Sequence, residues 1–133
     1  MTTFKTPAAD APGSEWGRLA VTIPDWRWME AMQGVWTDGR GNVHRPRIER
    51  CAGQWVEKSS AGIDPDDPAT AGCLLALLGP YVSHMECRVR PSGEVVWRQR
   101  ADAGRLVVTG WLPLGRVCIA YAAAIGRWPG GGE

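Results

Sequence analysis

Between His84 and Arg100 charged and apolar side chains alternate with the two-residue period of strands that bury one face. A three-residue turn, Pro91-Ser92-Gly93, with Gly93 in the left-handed region, sets Arg90 opposite Glu94, Val89 opposite Val95, Cys87 opposite Trp97 and Glu86 opposite Arg98. One face then reads Met85, Cys87, Val89, Val95 and Trp97. The other reads His84, Glu86, Arg88, Arg90, Glu94, Val96, Arg98 and Arg100. A two-residue turn would mix Arg with Val and Trp on both faces, so the side-chain period rejects it. A four-residue loop, Ala101 to Gly104, adds a third strand from Arg105 to Trp111. It puts Leu106 and Val108 on the apolar face and Arg105, Val107, Thr109 and Trp111 on the charged one. The pattern predicts a three-stranded antiparallel meander over 84–111 with one buried face.

Two segments carry helical patterns. From Asp67 to Gly79 nearly every residue is apolar, and both ends are marked. Asp67 suits the N-cap, Pro68 the first helical position, where its missing donor costs nothing, and Gly79-Pro80 the stop. A helix apolar all round is buried on more than one side, so this one is expected to be the spine of the core. The second helix opens at Pro113 and runs to about Arg127. Its stripe is Leu114, Val117, Cys118, Tyr121, Ile125 and Trp128, and Pro129 to Gly132 ends it.

The remaining elements are short. Residues 1–17 are read as a disordered or loosely docked segment. Leu19 to Ile23 is a strand candidate, and Pro24-Asp25 opens a short helix from Trp26 to Gln33. A hairpin follows over Val35 to Val43, with a loop from Asp38 to Gly41 that pairs Trp36 with Val43. Pro46 argues against a central strand over Arg45 to Arg50, Ala52 to Glu57 is a further strand candidate, and Ser59 to Asp66 is a loop. The fold class is α+β: an antiparallel sheet, made of the 84–111 meander plus the N-terminal hairpin, with the helices at about 67–79 and 113–127 on one face. A single domain spans 18–129, and 130–133 form a flexible tail.

Composition adds little chemistry and one bias. At 133 residues the chain can bury an ordinary core without metal or disulfides. A net charge of +1 exerts no global pull on nucleic acid or anionic lipid. Of the 15 basic residues, however, only Lys5 and Lys58 are lysine. A GC-rich genome explains an excess of Arg; so does bidentate recognition of carboxylate or phosphate. Eight Trp stand against one Phe and two Tyr, and Trp is favoured where a large ring meets a polar boundary. The stretch from Met1 to Ser14 lacks the pattern of a signal peptide, and no run is long enough to span a membrane. A cytoplasmic location is expected, and with it free, buried thiols at Cys51, Cys73, Cys87 and Cys118.

The segment Asp67-Pro68-Ala69-Thr70-Ala71-Gly72-Cys73-Leu74-Leu75-Ala76-Leu77-Leu78, preceded by Pro24-Asp25-Trp26-Arg27-Trp28-Met29, resembles a group of small, uncharacterised phage and prophage proteins. These share an early Pro-Asp-Trp and a mid-chain Asp-Pro-Ala-Thr-x-Gly-Cys-Leu-Leu helix. The resemblance covers about twenty residues. It implies a mobile-element origin and an accessory role, and it carries no catalytic residues.

No constellation of catalytic or metal-binding type stands out. His84-x-x-Cys87 is the nearest to a metal spacing, but the strand period points the two side chains to opposite faces. Cys51 follows His44 by seven residues with no third group to orient the pair. Asp64, Asp66 and Asp67 cluster at a helix start, where capping and the helix dipole account for Asp67 and Asp66. Gly39-x-Gly41 is too short for a phosphate loop. No cofactor is implied. The charged face of the meander is the candidate partner-binding site: Arg88, Arg90, Arg98, Arg100 and Arg105 with Trp111, against Glu86 and Glu94. Solvated cross-strand Arg–Glu pairs are the plain alternative. A protein partner is the first functional expectation, since Arg and Trp most often anchor interfaces. A nucleic-acid module on the same face is the second, and a small enzyme joining His44 or His84 to a Cys or Asp the third.

Overall fold

The computed structural model describes residues 4–45, 47, 62–100 and 110–131. The architecture is α+β. Helix α1 (Gly13–Thr22) precedes strands β1 (Gly34–Thr37), β2 (Val43–His44) and β3 (Gly62–Ile63), then helix α2 (Pro68–Leu78), strands β4 (Met85–Val89) and β5 (Val95–Gln99), and helix α3 (Leu114–Ile125). A 3-10 segment, Gly79–His84, links α2 to β4. The first sheet has the order β2-β1-β3, and β4 pairs with β5 in the second.

The β4–β5 hairpin has the register that side-chain alternation predicts. Glu86 faces Arg98, Cys87 faces Trp97 and Val89 faces Val95. Gly93 takes φ 92°, and the Arg90 amide donates to the Glu94 carbonyl at 2.8 Å. The third strand joins in a different register. The Ala101–Gly104 loop would set Val108 beside Trp97, whereas Trp97 bridges Leu112, their amides and carbonyls bonding at 2.7 and 2.9 Å. A shift of four residues is even, so Trp111 keeps its predicted face. Arg105 to Thr109 lie outside the described residues, as does the strand candidate Ala52 to Glu57.

The burial of that hairpin departs from expectation. Met85 is buried and Trp97 packs against the core, but Cys87, Val89 and Val95 are exposed, Val89 by 67%. The core covers only the end of the hairpin nearest Met85, and the turn end extends beyond it. On the charged face Val96 is fully buried.

The spine of the core is α3 rather than α2. Helix α3 buries eight of its residues, from Gly115 to Ala123, while packing against α2, β5 and α1. Helix α2 buries Thr70, Ala71, Leu74, Leu77 and Leu78 and leaves Ala69, Gly72 and Ala76 exposed. Its uniform hydropathy misleads because its outer face is apolar only through Ala and Gly, which expose little hydrocarbon. The predicted caps of α2 hold: Asp67 accepts from the Thr70 amide at 3.0 Å, worth about 1 kcal/mol, and Gly79 ends the helix with φ 66°. Helix α3 stops at Ile125, short of the expected end at about Arg127, because Gly126 takes φ 93°.

Nearer the N-terminus the structure corrects the sequence reading. Leu19 to Thr22 belong to α1, not to a strand. Trp16 and Ala20 in α1 and Ile23 just beyond it repeat at helical spacing and are all buried. Trp26 to Gln33 form no helix; Asp25 and Ala31 take φ 68° and 81°, which a right-handed helix cannot contain. The hairpin of β1 and β2 pairs Trp36 with His44 and Thr37 with Val43, one residue beyond the predicted register. The Asp38 carboxylate selects the longer loop by accepting from the Arg40 and Asn42 amides at 2.8 and 2.9 Å. Gly130, expected in a flexible tail, donates its amide to the Leu77 carbonyl at 2.7 Å.

Candidate interaction face

Side chains at even positions of β4 and β5 share one face of the hairpin, and Trp111 joins them from the neighbouring segment. The guanidinium carbons of Arg88 and Arg98 each lie 4.4 Å from the centre of the Trp111 ring. Each such contact contributes about 0.5–1 kcal/mol at an exposed site. Arg98 also donates from Nε to Glu86 Oε1 at 2.6 Å. Arg90 and Glu94 approach only to 3.5 Å and are exposed, a geometry that contributes little. The Arg100 amide donates to the His84 carbonyl at 2.7 Å, which holds this end of the strand pair.

Of the six residues singled out from sequence, Arg88, Arg98 and Trp111 form one cluster. Arg90 and Arg100 share its face at the two ends of the hairpin, and Arg105 lies outside the described residues. The buried member of the face is Val96, directly opposite Arg88. Side-chain alternation placed Val96 on the charged face but gave no sign of its burial.

The other candidates resolve into local structure. Asp67 accepts two bonds from Arg47, at 2.6 and 3.1 Å, besides capping α2. Asp66 receives a bidentate pair from Arg116, at 3.1 and 2.9 Å. Arg116 also donates to the carbonyls of Ala9 and Ala11, at 3.0 and 2.5 Å, and so ties the segment before α1 to α3. His44 bonds Asp38 at 2.9 Å and stacks on Trp36, with centroids 4.3 Å apart. His84 meets the Tyr121 hydroxyl at 3.3 Å. Cys118 is buried, and desolvation pushes its thiol up to about 12, so it is inert at neutral pH. Burial also raises the Cys73 thiol. Cys73, Cys87 and Cys118 are unbridged, but of the three only Cys118 has the expected burial; Cys73 is half-buried and Cys87 exposed. Among the described residues no three His, Cys, Asp or Glu come close enough to hold a metal ion. Cys51 lies outside them.

Both motifs that carry the phage resemblance have architectural roles. The Pro24 carbonyl accepts the Trp128 amide at 2.9 Å, Asp25 pairs with Arg127 at 3.0 Å, and Trp26 meets Trp128 edge-on at 5.7 Å. Pro-Asp-Trp thereby receives the end of α3. In the second motif, the Thr70 hydroxyl donates to Asp67 at 2.9 Å and accepts the Gln33 amide at 2.7 Å, joining α2 to the chain just before β1.

A concavity of about 300 Å³ lies between the start of α1 and the first sheet, lined by Ser14, Val35, Arg45, Asp64 and Asp66 among others. Its charges are already engaged: Arg45 approaches Asp64 at 3.5 Å and Asp66 binds Arg116. No described helix is long and apolar enough to cross a membrane. Comparison with protein-family models, with curated proteins and with solved structures finds no match, so the functional reading rests on the residues themselves.

Proposed function

We propose that the protein is a non-enzymatic accessory protein of phage type that binds a protein partner through the Arg/Trp face of the β4–β5 hairpin. One form of that role is inhibition of a host defence or regulatory complex. The observation that carries the reading is the convergence of Arg88 and Arg98 on Trp111, flanked by Arg90 and Arg100. Arg and Trp lose little side-chain freedom when they are held against each other before binding, and both are prominent among residues that dominate binding energy. Four arginines against Glu86 and Glu94 suit an acidic surface on the partner. Trp111 is already engaged by two guanidinium groups, which disfavours base stacking and ranks a protein above a nucleic acid.

The test is affinity capture from a host lysate with the wild type and with the variant Arg90→Glu/Arg100→Glu. These two positions probe charge without touching the Trp111 cluster. The variant loses the captured protein while keeping the wild-type melting temperature. Equal capture by both forms contradicts the reading. Steeply salt-dependent capture of nucleic acid in place of protein would support the second expectation instead.

A further inference from the structure

Strand β4 has one neighbour, β5, among the described residues. The hydrogen-bonding parity of the hairpin identifies which of its backbone groups face away. The Arg90–Glu94 and Arg100–His84 bonds make the even-numbered pairs the hydrogen-bonded ones. Cys87 and Val89 therefore direct their amides and carbonyls toward the outer edge of β4, and Met85 its carbonyl, while the Met85 amide donates to the Val82 carbonyl. Two of these positions, Cys87 and Val89, carry apolar side chains that the core leaves uncovered, Val89 by 67%. An open edge beside exposed hydrocarbon is a template for another strand.

The sequence of this edge is complementary to itself in one register. Antiparallel self-pairing must match odd positions with odd positions, because only these present outward backbone groups. Centring on Cys87 sets Met85 opposite Val89 of the second copy and Glu86 opposite its Arg88, on both sides of the twofold axis. Moving the centre by one residue sets Glu86 against Glu86 or Arg88 against Arg88, and like charges directly opposite are destabilising. Within the chain, Glu86 engages Arg98 through Oε1, and Arg88 contacts the Trp111 ring but forms no ion pair among the described residues. Arg88 thus retains its guanidinium donors for a carboxylate across the edge.

We propose that β4 pairs antiparallel with β4 of a second copy about a twofold axis at Cys87, forming a four-stranded sheet β5-β4-β4-β5 across the dimer. The pairing satisfies the amides of Cys87 and Val89 and the carbonyls of Met85 and Cys87, and it sets the exposed Cys87 against its symmetry mate and Val89 beside Met85 of the second copy. It is an isologous interface, in which one patch is its own complement. It also joins the Arg/Trp faces of two chains into one surface. The proposal does not depend on the partner-binding reading, whose test uses Arg90 and Arg100.

Charge reversal provides the test, read by light scattering coupled to size exclusion. The wild type elutes at twice the 14.5 kDa mass of one chain. Arg88→Glu alone and Glu86→Arg alone each set two like-charged pairs across the axis and elute as monomers. Mixed in equal amounts, the two variants regain opposite charges at every pair and recover the dimer. Because Glu86→Arg also removes the Arg98 bond, a second measurement keeps the test independent of its folding. A short bis-maleimide links two chains through Cys87 in a Cys51→Ser background, and Cys87→Ser abolishes the link. A monomeric wild type that the reagent does not link, or single variants that dimerise as well as the wild type, would overturn the proposal.

Discussion

The Arg88 guanidinium carbon lies 4.4 Å from the centre of the Trp111 ring, although β5 runs between the two residues. Arg88 stands on β4, and Trp111 adjoins the residue that bridges Trp97 on the far side of β5. The contact therefore spans the hairpin above Val96, which is fully buried on a face of charged residues. Removing the ring, in Trp111→Ala, frees two arginines and removes a half-buried side chain from this face. A loss of about 2 kcal/mol is expected, below the 3–5 kcal/mol typical of a fully buried aromatic because Trp111 is half-buried. Urea unfolding measures it.

Gln99 should be more stable as leucine. Its side chain is only 6% exposed, and neither its amide nitrogen nor its oxygen has a hydrogen-bond partner among the described residues. A buried polar group without a partner costs about 1–3 kcal/mol, and an apolar replacement of similar size removes that cost. Gln99→Leu raises the midpoint of thermal unfolding; a lower midpoint would show that the amide has a role unaccounted for.

Three glycines separate packing from helix propensity. A Cβ at Gly17 in α1 would overlap the Ile63 carbonyl of β3, and one at Gly115 in α3 would overlap the Pro65 carbonyl. Gly17→Ala and Gly115→Ala each force backbone apart and cost about 1–3 kcal/mol. A Cβ at Gly72, exposed on α2, meets nothing within 4 Å. Gly72→Ala therefore stabilises, by about 0.5–1 kcal/mol from helix propensity. Denaturant midpoints of the three variants should fall on opposite sides of the wild type.

Acid should weaken the β1–β2 hairpin and the start of α2. The His44 bond, aided by the Asn42 amide, holds the Asp38 carboxyl well below its ordinary 3.8, and Arg47 and Thr70 lower that of Asp67. A carboxyl lowered in the folded state stabilises above its unfolded value, and that contribution fades as pH falls through the folded one. Melting temperature should thus decline as pH drops below about 3.8, and less steeply in Asp38→Asn/Asp67→Asn.

The legible parts of the fold were those that local chemistry decides. Alternation between Met85 and Gln99 determines a register, because a slip of one residue would expose every apolar side chain to the wrong face. Asp67, Pro68 and Gly79 mark the ends of α2 through their own backbone requirements. The parts that sequence hid depend on distant partners. Helix α1 contains Gly13 and Gly17, poor helix formers, and Gly17 is needed because β3 passes against it. The loop of the first hairpin is set by the Asp38 carboxylate rather than by Gly39. Leu112 could not be placed beside Trp97 from a loop length. On the candidate face, the residue types were readable, but their convergence on Trp111 required the third segment's position.

The most direct test of the partner-binding face is hydrogen exchange of the protein alone and in its captured complex. Slowed amide exchange concentrated between Met85 and Gln99 and around Trp111 is the predicted result. Protection confined to the β1–β2 hairpin or α1, with β4 and β5 exchanging as in the free protein, would contradict it.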